Sequence, residues 1–160
     1  MFVSVAVIQL SSTLPSSAEA LKELNIRPGD TIASFQGFGN VAQHAIRLYQ
    51  QLGGRVTCVS SWNQKQQAAF CIRRTDGIDL DELLAITDRF GGISRQKAEQ
   101  LGYDVLPGDA WLAQDVDILI PAALENQITA DNVERISDRV KIVAEGANGP
   151  TTPDADRVLA

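Results

Sequence analysis

The sequence predicts a doubly wound α/β fold, with a parallel sheet in a single domain. Short apolar segments alternate with segments of helical spacing, which is typical of parallel strands covered by helices on both faces. A glycine or proline follows three of the four apolar segments, so turns fall at the predicted strand ends. The chain has 160 residues, 44% of them apolar and 21% charged, which is enough for one domain with a hydrophobic core.

Apolar spacing and capping residues predict the individual elements in chain order. Strands are predicted where apolar residues run together between polar turns. They are 32–35, 55–59, 116–120 and 140–144. Helices are predicted where apolar residues recur every three or four positions behind a capping residue. They are 17–24, 41–52, 79–86, 94–101, a short helix around 111–112, 131–136 and a last helix from Pro153.

Two segments lack a clear pattern. Residues 1–10 are apolar but alternate imperfectly, which leaves a strand and a disordered start both open. Residues 60–75 are polar and poorly patterned, so no element is assigned to them.

The stretch from Thr31 to Ala42 is the most informative part of the chain, because a predicted strand runs through the pattern G-x-G-x-x-A into a predicted helix. Gly37 permits the tight turn, and Gly39 lacks the Cβ that would keep a pyrophosphate from the backbone. Ala42 lets the helix pack closely on the strand. The phosphates would lie on free N–H groups at the positive end of this helix. The alternative, in which the glycines only turn the chain, stays open.

Four segments fall at the carboxyl ends of the predicted strands, where parallel sheets bind their ligands. We expect them to share one crevice. They are 36–40, 60–61, 121–123 and 146–148.

Composition excludes several classes of function. The net charge of −6 argues against nucleic acid or an anionic membrane as the main partner. Cys58 and Cys71 are the only cysteines, and without a Cys/His cluster no metal site is expected. No apolar run reaches the ~18–20 residues that span a bilayer, and the apolar start lacks the basic residues of a secretory signal. We therefore expect a cytoplasmic protein. His44, the only histidine, is interpreted as a helix-surface residue.

Four segments also match the sequence pattern of a known protein family. They are 36–41, 76–79, 115–123 and 144–153. Together they resemble the nucleotide-binding domain of the glutamate/leucine/phenylalanine/valine dehydrogenases, and the glutamate enzymes most closely. The resemblance covers about 18–160 and implies a Rossmann-type fold. It also implies oxidative deamination of an L-amino acid to a 2-oxoacid, with hydride transfer to NAD(P)+.

The resemblance implies a cofactor-binding role for the matching residues. The glycine turn would hold the pyrophosphate, two alanines would line the adenosine side, and an asparagine would approach the nicotinamide. For Asn148, a turn-forming role in a glycine-rich bend stays open. The cofactor-binding residues are Gln36, Gly37, Phe38, Gly39, Asn40, Val41, Ser61, Ala122, Ala123 and Asn148.

Ser61 bears on the choice of cofactor. NAD sites carry an acid about 20 residues past the glycine turn, and many relatives have Asp where this chain has Ser61. A serine hydroxyl can donate to a 2′-phosphate without repelling it, and Lys65, Arg73 and Arg74 could neutralise the phosphate. We predict NADP or NAD as the cofactor, with NADP tolerated and a preference for it open. That the basic residues are merely solvated is the alternative.

The chain departs from the family pattern by lacking the domain that carries the catalytic lysine and aspartate. We therefore expect residues 1–17 to be an unmatched segment and 18–160 to be an NAD(P)-binding domain truncated at its C-terminal end, with no catalytic residue. The expected partners are a nicotinamide dinucleotide, a separate chain carrying the substrate domain, and a second copy through self-association. A non-catalytic remnant or interaction module is the alternative function.

Overall fold

The computed structural model describes residues 6–9, 25–124, 126–146 and 149–160. The helix predicted over 17–24 lies outside them. The described residues form a seven-stranded sheet with helices packed on it, which confirms the doubly wound α/β fold. Within these ranges, no helix has the length and apolar character needed to cross a bilayer.

The elements of the described residues follow the predicted order, with additions. The strands are β1 Ala6–Gln9, β2 Ile32–Gln36, β3 Arg55–Asn63, β4 Ala68–Arg73, β5 Asp104–Pro107, β6 Ile118–Pro121 and β7 Ile142–Glu145. The α-helices are α1 Asn40–Gln51, α2 Leu80–Leu84, α3 Arg95–Gln100 and α4 Pro153–Leu159. Two short 3₁₀ helices cover Pro28–Asp30 and Val133–Arg135.

The sheet has the strand order β1-β7-β6-β2-β3-β4-β5. The first five strands in this order are parallel to one another, as predicted, whereas β4 and β5 are antiparallel to their neighbours. These two strands were not predicted. β3 continues past Val59 to Asn63 and turns through the exposed residues 64–67 into β4. The apolar run 68–72 forms most of β4 and was the available signal for this strand, but polar residues surround it in the sequence.

Alternating side chains build a core on each face of the sheet. On one face, Phe35 and Ile120 pack with Ile46 of α1 and with residues of α2 and α3. On the other face, Leu119 and Val143 pack with the segment around Trp111 and with α4. Burial on both faces explains why the central strands have near-continuous apolar sequences.

One extra residue in β3 shifts its register against β2. Ala33 pairs with Val56, but Ser34 pairs with Cys58, so Thr57 has no partner of its own. Such a bulge changes the face on which the following side chains lie. Val59 accordingly joins the core on the α1 face, and Cys58 joins the core on the opposite face.

Local signals predicted most helix starts and fewer helix ends. Asp79 caps α2 as predicted, since its carboxylate accepts a hydrogen bond from Glu82 N at 3.1 Å. The segment around Trp111 forms turns instead of the predicted helix, and the helix predicted over 131–136 is a 3₁₀ turn. Each has too few residues to nucleate an α-helix on its own.

The burial of Tyr49 makes the free energy of unfolding decrease at alkaline pH. Its ring is buried against Gly54, where an added Cβ would lie 2.3 Å from a ring carbon, and its hydroxyl is hydrogen-bonded to Thr31. Burial raises the pKa of Tyr49 from 10.0 to about 12. The folded state favours the neutral form of Tyr49. Its contribution to the free energy of unfolding is therefore complete below pH 10 and is lost as the pH rises towards 12.

We therefore expect the free energy of unfolding to fall by up to about 2–3 kcal/mol across this window because of Tyr49. Urea denaturation of the wild type and of Tyr49→Phe, each at a series of pH values, measures this. The variant is expected to lose less stability on alkalinisation than the wild type, and equal slopes would contradict the assignment to Tyr49.

Candidate functional site

The carboxyl ends of the parallel strands meet at one end of the sheet. Ala122 N donates to Gln36 O at 2.9 Å, which joins the end of β6 to the end of β2. Gly146 N donates to Pro121 O at 2.9 Å, which joins β7 to β6. The described parts of the segments predicted to share one crevice therefore lie together at this end of the sheet. Residues 147 and 148 lie outside the described residues, and so does the predicted contact of Asn148.

Gly37 turns the chain where no larger residue fits. Its φ is +97°, a conformation that favours glycine, and an added Cβ would lie 2.7 Å from Ala123 Cβ. Its N–H donates to the Ser60 hydroxyl at 2.8 Å. The glycine turn is thus held between Ser60 of β3 and the loop after β6, where Ala123 is exposed and Ala122 is half-buried.

The start of α1 is an open, positively polarised surface. Gly39 caps the helix without a side-chain hydrogen bond, and the first turn has no acidic residue. An added Cβ on Gly39 would have no heavy atom within 4 Å, so space lies in front of this backbone. Asn40 and Val41 are exposed here, whereas the Phe38 side chain is buried in the core. Only the backbone of Phe38 can therefore face a ligand.

Gln36 adds a buried polar side chain at the end of β2. Its Nε2 donates to Gln127 Oε1 at 2.6 Å, which ties it to the loop after β6. Its own Oε1 is buried and has no hydrogen-bond partner. Gln36 Oε1 therefore retains the capacity to accept a hydrogen bond.

The structure gives the Ser61 hydroxyl a different role from the predicted one. Ser61 is 3% exposed; its Oγ donates to Gly91 O at 3.3 Å and accepts from Ile93 N at 3.0 Å. The hydroxyl proton is already donated within the protein. The prediction that it is donated to a 2′-phosphate therefore does not fit this geometry.

Two of the basic residues expected near Ser61 lie elsewhere. Because β4 runs antiparallel to β3, Arg73 lies opposite Cys58, and Arg74 N, just after β4, donates to Thr57 O at 2.9 Å. Arg73 pairs with Asp104 and Arg74 with Glu82. Both guanidiniums are already paired with acids, so their positions do not favour the prediction that they neutralise a phosphate beside Ser61. Lys65 is exposed in the turn between β3 and β4.

Sequence reasoning missed the turn over residues 88–92, here called the 88–92 turn. The Asp88 carboxylate accepts hydrogen bonds from Phe90 N at 2.8 Å and from Gly92 N at 2.9 Å. Gly91 has a φ of +82°, and an added Cβ would lie 2.6 Å from Phe38 O. The turn therefore packs directly on the glycine turn. The Gly91-Gly92 pair was the available signal for a turn at this position.

His44 and the cysteines show no catalytic arrangement. His44 is exposed on α1, as predicted. Cys58 and Cys71 are both free and buried; their mutual hydrogen bond raises the pKa of Cys58 and lowers the pKa of Cys71. In the part of the chain that the structure describes, no group of three His, Cys, Asp or Glu residues could hold a metal ion.

Known proteins are similar to this chain in sequence and in fold. The sequence model of the Glutamate/Leucine/Phenylalanine/Valine dehydrogenase family matches residues 12–160. A glutamate dehydrogenase of Thermotoga maritima is 41% identical over 143 residues, which cover 88% of this chain and 31% of that protein. A NAD-specific glutamate dehydrogenase of Peptoniphilus asaccharolyticus is 33% identical over 141 residues, which cover 88% of this chain and 32% of that protein.

A crystal structure of a Plasmodium falciparum glutamate dehydrogenase has the same fold, with a TM-score of 0.76 and 23% sequence identity over 89% of this chain and 30% of its own. The chain thus spans less than a third of the length of the relatives described here. The family pattern nevertheless covers nearly all of the chain, including the glycine turn and the segments that meet it. The chain belongs to the glutamate/leucine/phenylalanine/valine dehydrogenase family.

Proposed function

We propose that this chain is the NAD(P)-binding part of an amino-acid dehydrogenase of the glutamate type. Such an enzyme deaminates an L-amino acid oxidatively to a 2-oxoacid and transfers a hydride to NAD(P)+. The observation that carries the proposal is the open start of α1 behind Gly37 and Gly39, at the end of the sheet where the strand ends meet. Ligands of doubly wound sheets bind at this position.

In this proposal the cofactor pyrophosphate lies against the backbone from Gly37 to Val41. The positive end of α1 and its free N–H groups attract an anion, and no acidic side chain in the first turn opposes it. The missing Cβ of Gly39 lets the phosphates approach the backbone. Ala122 and Ala123 lie beside the turn and would line the adenosine side, while Asn148 would approach the nicotinamide.

The chain's own residues bind and orient the cofactor, whose nicotinamide supplies the hydride acceptor. We assign no catalytic residue to this chain. Hydride transfer also requires the substrate carbon to be held against the nicotinamide, and such positioning contributes ~7–11 kcal/mol to catalysis. We propose that a substrate domain outside residues 1–160 supplies this positioning. A cytoplasmic location and self-association remain predictions, and a binding module without catalysis is the alternative function.

The residue at position 61 supports binding of NADP. An acid at this position would hydrogen-bond a ribose 2′-hydroxyl and would repel a 2′-phosphate. Ser61 carries no charge, and its hydroxyl is engaged by Gly91 and Ile93. We therefore propose that NADP is tolerated because repulsion is absent, and not because the hydroxyl donates to the phosphate.

Gly39→Ala tests the proposed pyrophosphate site. Because the new methyl group meets no protein atom, the variant is expected to fold, yet it would lie where the phosphates approach. We expect the affinities for NAD+ and NADP+ to fall by about tenfold or more, that is by about 1.4 kcal/mol. Calorimetric titration measures the affinities, and circular dichroism checks the fold.

Gly29→Ala is the matched control for this test. It lies in the 3₁₀ turn that precedes β2, at the amino end of the sheet, and its added Cβ would have no neighbour closer than 3.9 Å. Its cofactor affinities are expected to match those of the wild type. Unchanged binding by a folded Gly39→Ala protein would contradict the proposed site.

The ratio of NADP+ to NAD+ affinity tests the role of position 61. We expect NADP+ to bind the wild type within about tenfold of NAD+ or more tightly, and a preference for NAD+ beyond that would overturn the proposal. Ser61→Ala is expected to lower the stability by about 1–3 kcal/mol, because Ile93 N loses its buried partner. The affinity ratio should remain unchanged in this variant. A selective loss of NADP+ binding would instead show that the hydroxyl contacts the 2′-phosphate.

A further inference from the structure

The side chain of Gln36 ties the glycine turn to a loop on the other side of the proposed cofactor site. Its Nε2 donates to Gln127 Oε1 at 2.6 Å, although the two residues are 91 positions apart in the chain. We propose that Gln36 is a positioning residue, which acts through Gln127 to set the spacing between the glycine turn and the segment 149–152. This inference rests on the proposed function and extends it to the contact that holds the two ends of the site together.

Gln36 lies at the point where the order of the strands reverses. It is the last residue of β2, which has β3 on one side and β6 on the other. Dinucleotides bind across the crevice at such a switch point, which separates the two nucleotide-binding halves of the sheet. A side chain at the end of β2 is therefore well placed to join the two halves.

Gln127 belongs to a loop that is hydrogen-bonded to the segment after β7. Gln127 N and Ile128 N both donate to Pro150 O, at 2.6 and 2.8 Å. Thr152 N donates to Ile128 O at 2.8 Å. The two segments thus form one hydrogen-bonded unit, here called the paired loops. They are residues 126–128 and 149–152. In the proposed function, the glycine turn holds the pyrophosphate and the residues after β7 approach the nicotinamide.

Further contacts make the paired loops rigid enough to transmit a position. Ile128 is fully buried in the core on the face opposite α1. Asn132 holds the same loop, since its Nδ2 donates to Gln127 O at 2.8 Å and its Oδ1 accepts from Thr129 N at 2.8 Å. The side chain of Gln36 connects this unit directly to the residue that begins the glycine turn.

The burial of Gln36 favours a role in arrangement over a role in stability. The residue is 6% exposed, and its Oε1 is buried with no hydrogen-bond partner among the described residues. Burying such an atom costs free energy, which an apolar side chain of the same length would avoid. Residues that break a packing rule in this way are typical of functional sites. What the amide supplies, and an apolar side chain cannot, is the hydrogen bond to Gln127.

Gln36→Met tests the inference, because methionine has a similar length and no amide. The ligands are NAD+ and ADP, which share the adenosine and the pyrophosphate, whereas only NAD+ carries the nicotinamide nucleoside. Calorimetric titration is expected to show NAD+ binding weakened by about fivefold or more, and ADP binding within about twofold of the wild type. The fluorescence emission of bound NADH is expected to shift towards that of free NADH, because the nicotinamide loses its fixed surroundings.

Gln50→Met is the matched control for this variant. Gln50 lies in the last turn of α1, and its Nε2 donates to Ile78 O at 3.1 Å, so this variant also loses one side-chain hydrogen bond. Its affinities for NAD+ and ADP are expected to match those of the wild type. Circular dichroism checks the fold of each variant. Urea denaturation is expected to show that Gln36→Met loses no more stability than Gln50→Met.

A second variant tests the route through Gln127. Gln127→Met removes the acceptor, and we expect it to weaken NAD+ binding selectively as well. The double variant Gln36→Met/Gln127→Met is expected to bind NAD+ no more weakly than the weaker of the two single variants, because all three lose the same interaction. Additive losses would show that the two residues act independently and would overturn the inference.

The remaining outcomes also decide against the inference. Equal losses of NAD+ and ADP binding in Gln36→Met would show that the amide only supports the glycine turn. Unchanged NAD+ binding in this variant, or a failure of this variant to fold, would overturn the inference and leave the proposed function intact. A folded wild type that binds neither ligand would overturn both.

Discussion

The close approach of Gly37 to Ala123 is the constraint on which the rest of the site depends. The Cβ of any other residue at 37 would come within 2.7 Å of the Ala123 methyl carbon, so only glycine lets the ends of β2 and β6 meet. With the turn in this position, Gly37 N reaches the Ser60 hydroxyl. The start of α1 then faces open space, and Gly91 can pack on Phe38 O. One steric contact thereby positions a helix end, a strand end and a neighbouring turn.

Local signals predicted the strand–turn–helix unit, because the G-x-G-x-x-A pattern and the flanking apolar spacing lie within a few residues of each other. The general rule for parallel strand ends then predicted that the site segments converge. The remaining features depend on contacts between distant residues. Ser61 bonds Ile93, 32 positions further along, so its structural role cannot be inferred from its neighbours. The chain reverses at 64–67, so Arg73 pairs with Cys58, three residues before Ser61 along β3, and its side chain pairs with Asp104.

The distribution of charge is compatible with the anionic cofactor proposed above. The net charge of −6 predicts repulsion of phosphates if the acids are spread evenly. At the amino end of the sheet, however, Asp117 pairs with Arg139, and Glu82 pairs with Arg74. The first turn of α1 has no acid. The local potential at the start of this helix therefore depends on its polarised N–H groups more than on the net charge of the chain.

The extra residue at Thr57 has a consequence for insertions and deletions in β3. Because of this bulge, Ser60 lies on the face that meets Gly37 N, and Ser61 lies on the α1 face with its pair partner Phe70. Deleting one residue before Ser60 would exchange these two faces and separate both hydroxyls from their partners. Side-chain substitutions in this strand are consequently tolerated according to size and polarity, whereas a change in its length by a single residue removes the site altogether.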